Sequence, residues 1–515
     1  MKTNLKLKHL RYWNVLSIFW LCLCAVIAGG FLFSNLINAG KHSMSIEIYG
    51  PILGSLSYGF GSTIIAILVG TMAAIYFECY KGKQYVIAKF LFALPLAFPI
   101  YVFAFIYVGA FEYSSAIGSF FRGVGVELPS LRNIVGASVV TGMCLYPYVF
   151  LIVGAHLRVV FPKYFWNAKS LGLSDSKIIL KVLLPALKPS IMAGGMLVMF
   201  ESLADFGAVQ TFGLKTLTTA IYSQWFGMQD FMGGSRLAVV LLGIVVGLIF
   251  LQKYFFKETN IQKIQKNLKA ELKANEIFFR SFVVLVALLA IAFPFTQLLF
   301  WADLTQLMRE FSVNNIFLNS LFLASLGSLV IVLIGTAIAF SIIQNNKLNK
   351  LINLTTYGYA LPGSLIAVVI MVGFNMIFPI SITSLGIMGL ILALSIRFLT
   401  PAKNYISESI ALIPKSTIHA LAIQNTSPMK SFFKIYWKHI RMTSLMVFFI
   451  VAIEILKEQP AVLLLRPAGF DTLSSRIYNY TSEGQWELAA QPSILLVLAG
   501  VIFVIMLTKV QHRYE

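Results

Sequence analysis

Two pairs of carboxylates stand out in a chain otherwise poor in charge: Glu201 with Asp205, and Glu454 with Glu458. Each pair lies in an apolar stretch, "ESLADFGAV" and "EILKEQPAV", with its members four residues apart. On one helix, that spacing puts both carboxylates of a pair on the same face. A charged group near lipid is costly and normally faces a bundle interior or a water-filled cavity. The pairs therefore suit either an acidic lining on the path of a cation or a brace closed by Lys457 or Arg466. A deep acidic trap would retain a highly charged cation, so both readings stay open. Just beyond the pairs, "KTLTTAIYSQWFG" and "DTLSSRIYNYTSEG" offer hydroxyls and rings with few charges. Thr216, Tyr222, Trp225, Asp471, Thr472 and Tyr478 are candidates for a gate or for docking a soluble partner. Tyr and Trp are also ordinary anchors at a membrane boundary.

A different chemistry is offered by "WNAKSLGLSDSKIILKVLLP", residues 166–185. With Lys169, Asp175, Lys177 and Lys181 it is too charged to cross a bilayer. Gly172 can take the left-handed conformation that ends a helix, Ser174 or Asp175 can cap the next one, and Pro185 marks the turn back into the membrane. The segment predicts a helical elbow with Leu171, Leu173, Ile178 and Ile179 beside its charges, a shape that fits a groove of a soluble protein. A second elbow is expected over 419–438, where Asn425 tolerates the left-handed turn, Ser427 is a cap and Pro428 suits a first helical position.

These residues must be placed by a membrane scaffold. Of 515 residues, 58% are hydrophobic and 12% charged, far below the roughly 25% charge of a soluble domain. Cys22 and Cys24, spaced one apart, with Cys79 and Cys144, lie in or beside apolar runs and suggest neither a disulfide framework nor a metal site. The N-terminal apolar run is too long for a cleaved signal and reads as a first span. About twelve spans are expected, near 13–37, 55–78, 86–110, 134–157, 189–210 and 234–256, then 279–301, 315–343, 352–378, 384–402, 442–463 and 492–509.

With the N-terminus inside, about thirty of the forty Lys and Arg fall on cytoplasmic segments, nine or so outside, and Arg397 within a span. The net charge of +20 is thus orientation charge, and nucleic acid need not be invoked. Both termini are expected in the cytoplasm.

The Lys-rich stretch 257–278 reads as a solvated linker between two halves, 1–256 and 279–515. Blocks recur between the halves in the same order: "FALPLAFP" with "YALPGSLI", "LGLSDSK" with "QNTSPMK", the two acidic blocks at an offset of 253, and "FGLKTLTTAIY" with "AGFDTLSSRIY" at 256. Two copies of one six-helix unit follow, and since six is even the copies are parallel, with a pathway expected between them.

Residues 166–185 resemble the cytoplasmic EAA loop of permease subunits in binding-protein-dependent ABC importers, with Ala168, Gly172, Leu184 and Pro185 at the motif's spacing. Trp166 and Asn167 depart from it; in the second copy His419, Asn425 and Lys438 do. The blocks from Leu203 to Asp230 and from Glu454 to Ala490 look like those of fused, twelve-span permeases of the ferric-iron class. The resemblance implies an all-α inner-membrane protein of the type I importer fold, located in a bacterial cytoplasmic membrane. It also implies elbows that couple to an ATPase dimer and an extracytoplasmic, iron-binding partner. No G-x-x-x-x-G-K-[ST] phosphate loop occurs, so the chain itself is expected to bind no cofactor and to hydrolyse nothing, with ATP used by partner subunits. Import of thiamine or a polyamine by the same architecture, or proton-coupled transport through the four carboxylates, are the competing expectations.

Overall fold

The computed structural model describes residues 11–38, 47–80, 86–255, 270–312, 315–344, 352, 355–377, 386–414 and 432–512. Among them there is no strand. In chain order, the helices that carry the architecture begin with α1 (Arg11–Ile37), α2 (Tyr49–Ile75), α3 (Ile100–Ala110), α4 (Ile134–Ser170), α5 (Asp175–Ile178), α6 (Leu184–Ala204), α7 (Gly207–Thr211), α8 (Leu217–Tyr222) and α9 (Phe231–Phe255). They continue with α10 (Glu276–Ala287), α11 (Ile316–Gln344), α12 (Gly363–Ile377), α13 (Ile387–Ala411), α14 (Trp437–Lys457), α15 (Pro460–Leu465), α16 (Leu473–Ser482) and α17 (Trp486–His512).

Among the described residues, ten helical stretches are long and apolar enough to cross a membrane, and α3 and α12 are shorter apolar helices. Those two correspond to the third expected span of each half, and the structure corrects the expectation there. The chain does not run straight through 86–110: a 3-10 turn, Leu94–Ala97, precedes Pro99, which is extended and caps α3. In the second half a 3-10 turn, Thr355–Ala360, precedes Pro362 and α12. Proline supplies no amide and clashes with the preceding turn, and a proline, Pro99 in the first half and Pro362 in the second, stands directly before each of these short helices.

The fifth spans are corrected as well. α6 stops at Ala204, Asp205 is extended (φ −68°, ψ 135°), and the chain re-enters as α7. α14 stops at Lys457, Glu458 is extended (φ −69°, ψ 117°), and the chain re-enters as α15. A π turn precedes both fifth spans, Ile179–Leu183 and Phe432–Tyr436, 253 residues apart. The duplication thus reaches irregular backbone that no hydrophobic pattern encodes.

The halves are interlocked. α1 packs on α11 and α12 of the second half: Ser341 donates to Ser17 Oγ at 2.7 Å, Trp13 stacks on Phe340 at 5.5 Å, and Trp20 is buried among Ile338, Ile352 and Leu399. A Cβ on Gly30 would sit 2.8 Å from the Gly373 carbonyl, so the two backbones touch through glycines. In exchange, α10 lies against α2, and Tyr107 of α3 donates to the Leu289 carbonyl just beyond α10. The packing thus exchanges the opening helices of the two halves.

Candidate functional site

The first elbow is built as its residue types dictate. The amides of Leu171 and Leu173 both donate to the Ala168 carbonyl (3.2 and 3.1 Å), and that of Gly172 donates to Lys169 (2.9 Å). This is a Schellman ending, in which the residue after the cap must be left-handed. Gly172 holds φ +73° with no atom within 4 Å of its absent Cβ, so a substitution there is opposed by backbone strain, not by a clash. Ser174 is the N-cap of α5, but its side chain makes no cap bond; its carbonyl accepts the Ile178 amide at 2.9 Å. Leu184 and Pro185 open α6 within a continuous helical run, so Pro185 does not mark a turn. Trp166, Leu171 and Leu180 are exposed. Asn425, Ser427 and Pro428 of the second elbow lie outside the described residues.

α6 and α14, of 21 residues each, carry the chain about 30 Å away from the elbows at 1.5 Å per residue. At their far ends the carboxylates meet. Asp205 and Glu458 do not share a helix face with Glu201 and Glu454, since each stands past its helix end, yet all four line one cavity between the halves, together with Tyr101, Tyr148, Arg397 and Lys457. Its volume is about 80 Å³, room for a few waters and far less than the roughly 300 Å³ of a small-molecule pocket.

Each extended acid supports the short helix that follows it. Asp205 Oδ1 accepts the Ala208 amide at 3.2 Å, and Glu458 Oε1 accepts the Ala461 amide at 3.2 Å. Their carbonyls accept Thr218 Oγ1 (2.7 Å) and Ser474 Oγ (3.0 Å). The partners of the acids then diverge. Asp205 Oδ2 receives the Tyr58 hydroxyl at 2.8 Å, itself 2.8 Å from Thr141. Glu458 pairs with Arg397 at 3.2 Å, both almost fully buried. Gly363 makes room for that pair: a Cβ there would lie 2.1 Å from Glu458 Oε1. Glu201 is hydrogen-bonded to Tyr359, and Glu454 lies 3.6 Å from Lys457. Lys457 also crosses to the other half, donating to the Leu96 carbonyl at 2.8 Å. Arg466 pairs with Asp471, not with an acid of the cavity.

The blocks expected to dock a partner are largely structural. Thr216 and Thr472 are buried and form matching capping boxes at α8 and α16 with Thr219 and Ser475. The next amides, Leu217 and Leu473, donate to Ser55 (2.8 Å) and Ser320 (2.7 Å). Trp225 is buried against Phe231. Tyr222 and Tyr478, one from each half, converge: their rings are 5.9 Å apart, they share a hydrogen bond, and Phe206 lies against both at 4.7 and 5.5 Å. Burial, then the bond to Tyr222, raises the pKa of the Tyr478 hydroxyl, which keeps it neutral. Among the described residues, no group of three or more His, Cys, Asp or Glu is placed to hold a metal ion.

Sequence reasoning passed over Tyr58, Tyr101, Tyr148 and Tyr359, because tyrosines in apolar text look like packing. It also left Arg397 without a role, although a lone arginine inside a span was itself a signal.

Residues 66–259 match the family model of the binding-protein-dependent transport system inner membrane component. The chain is 23% identical over 465 residues to the Fe(3+)-transport system permease protein FbpB 2 of Haemophilus influenzae, covering 87% of each chain. It is 26% identical over 231 residues to a putative 2-aminoethylphosphonate transport system permease protein, PhnU, of Salmonella paratyphi A (42% of this chain, 78% of that one). It is 27% identical over 203 residues to the molybdenum transport system permease protein ModB of Mycobacterium tuberculosis (38% and 76%). Residues 66–259 thus carry the inner-membrane component domain of binding-protein-dependent transport systems, and the chain as a whole is similar to a ferric-type permease along most of its length.

Proposed function

We propose that the chain forms the path of an importer that takes ferric iron from an extracytoplasmic binding protein and releases it into the cytoplasm, with both termini on the cytoplasmic side. The observation that carries the solute class is the convergence of Glu201, Asp205, Glu454 and Glu458 on one inter-half cavity, where carboxylates outnumber the two cations, Arg397 and Lys457. The relative matching both halves is named for Fe(3+) transport, which supports the same choice. Arg397 is held by Glu458, and Lys457 by Leu96 and Glu454. Neither is positioned as a free anion anchor.

In this reading, a separate ATPase pair binds ATP and moves the elbow at 166–185 and its counterpart at 419–438, and the chain itself binds no cofactor. α6 and α14 carry the displacement to the cavity, and the Tyr222–Tyr478–Phe206 contact is the outer gate. The surface around that contact, with Asp471 at its edge, receives the binding protein.

A second reading draws on the same cavity: Arg397 and Lys457 would serve an oxyanion, as the relatives named for molybdenum and 2-aminoethylphosphonate transport suggest. Uptake into proteoliposomes containing the permease, its ATPase and the cognate binding protein separates the two. ATP-dependent accumulation of labelled ferric iron, unaffected by molybdate, thiamine or polyamine, is the expected result. Accumulation of molybdate in place of iron would overturn the solute assignment, and uptake by the isolated chain on a proton gradient would overturn the ATP-driven mechanism.

A further inference from the structure

The segment that joins the halves ends as part of the first elbow. Asp175, 8% exposed, opens α5, yet its side chain is turned to the chain some hundred residues later. Its Oδ2 accepts the backbone amides of Lys273 (2.8 Å) and Ala274 (3.0 Å), while Oδ1 lies 2.6 Å from Lys169 Nζ. The neighbouring groups complete the joint. The Leu272 amide donates to the Cys79 carbonyl at 2.9 Å, the Tyr80 hydroxyl to the Ala274 carbonyl at 2.6 Å, and Asn275 Nδ2 to Ser176 Oγ at 3.1 Å.

A solvated tether, as the sequence suggested for 257–278, would leave such amides to water. Residues 257–269 lie outside the described residues, but over 272–274 three consecutive amides find acceptors in the first half. Leu272 is 1% exposed and belongs to a core cluster that includes Tyr76, Cys79 and Tyr80 of the first half. Asn275, at φ 63°, then turns the chain into α10, and Phe279 of α10 packs on Tyr80 at 5.3 Å. The opening helix of the second repeat is therefore bolted at its head to the elbow of the first.

We infer that Asp175 is a positioning residue that fuses the first elbow to the head of α10, so that a displacement of that elbow passes directly into the second repeat. The inference rests on reading 166–185 as the ATPase-coupling elbow. It gives the first elbow, which keeps the motif glycine that position 425 lacks, a mechanical hold on both halves. The joint stays closed throughout the transport cycle, because two amides share Asp175 Oδ2, Lys169 pairs with Oδ1 and Leu272 is buried.

The test uses the full complex in proteoliposomes, with iron-loaded binding protein, and reads three quantities: ATP hydrolysis, ferric iron taken up per ATP, and hydrogen exchange over residues 270–276. In the wild type these amides are expected to remain protected both without nucleotide and in the ATP-bound state. Asp175→Ala should remove protection at Lys273 and Ala274 and lower uptake per ATP about ten-fold, a typical size for coupling between sites, while the ATPase still binds and turns over. Asp175→Asn keeps an acceptor oxygen and should retain protection and most of the coupling. If Asp175→Ala does not assemble, Asp175→Asn decides alone: protected amides with coupling lost would overturn the inference. So would wild-type uptake per ATP in Asp175→Ala, or wild-type protection that disappears when ATP binds. Failure of the elbow reading itself appears separately, as unchanged uptake per ATP in Gly172→Val.

Discussion

Asp205 and Glu458 occupy the same place in the two halves, and the backbone asks the same of both. Each ends a long helix, turns extended, and offers a carboxylate oxygen to an amide of the short helix that follows. What surrounds them differs. The first acid is held by a tyrosine hydroxyl and peptide groups, the second by a buried guanidinium. A buried ion pair seldom adds net stability, but losing one partner strands the other charge. The duplication thus conserves a fold requirement while the halves diverge in charge, and that divergence gives the cavity its two cations on the second half's side.

The largest expected effect breaks this contrast at its charged end. Arg397→Leu leaves Glu458 buried and unpaired and should cost about 3–5 kcal/mol, visible as a drop in the melting temperature of the purified permease. Adding Glu458→Gln should recover most of it. Tyr58→Phe, the matching cut in the first half, removes one hydroxyl from a buried carboxylate that keeps its peptide donor and should cost less, about 1.5–3 kcal/mol. Equal losses in the two halves would remove the asymmetry.

Next comes the re-entrant turn itself. Gly207 and Pro460 are counterparts at the heads of α7 and α15. A Cβ on Gly207 would lie 1.8 Å from Gln459 Oε1 and 2.7 Å from Tyr101 Cβ, at the contact between halves. Gly207→Val should act as a wedge costing about 1–3 kcal/mol, read in thermal melts and as a leak of small solutes through reconstituted permease. Pro460→Ala, which adds no bulk, should show no leak.

Gly172→Val imposes a strain of about 1–2 kcal/mol at a left-handed position, and its signature should be uptake lost with ATPase association kept. The smallest effects should be the most alike. Thr216→Ala and Thr472→Ala each remove a matching capping box and should each cost about 1 kcal/mol in the same melting assay. A marked inequality would mean that only one of the two caps supports its half.

Much of this was legible in the sequence because it depends on composition and repeat. The duplication, the twelve apolar stretches and the left-handed Gly172 all follow from residue type and spacing. The broken third and fifth spans escaped, although Pro95, Pro99 and Pro362 were in plain view, because an apolar run across a break reads like a continuous helix. The acidic pairs were placed on one face by a helix that ends between their members, yet the cavity gathers all four, since a re-entrant loop brings back what the helix would have carried past. Thr216 and Thr472 looked like surface chemistry because hydroxyls serve docking and capping equally well; only the position of the Ser55 and Ser320 hydroxyls distinguishes the two. The exchange of α1 and α10 between halves left no mark that hydropathy could show.

The account depends most on solute passing between the halves, through the contact of Tyr222 with Tyr478. Joining Tyr222→Cys to Tyr478→Cys in the reconstituted complex with a reducible bifunctional thiol reagent, long enough to replace the two rings that meet there in the native protein at 5.9 Å, tests this directly. Uptake should stop when the bridge forms and return on reduction, with binding-protein association retained. Undiminished uptake through a fully cross-linked permease would show that the path lies elsewhere.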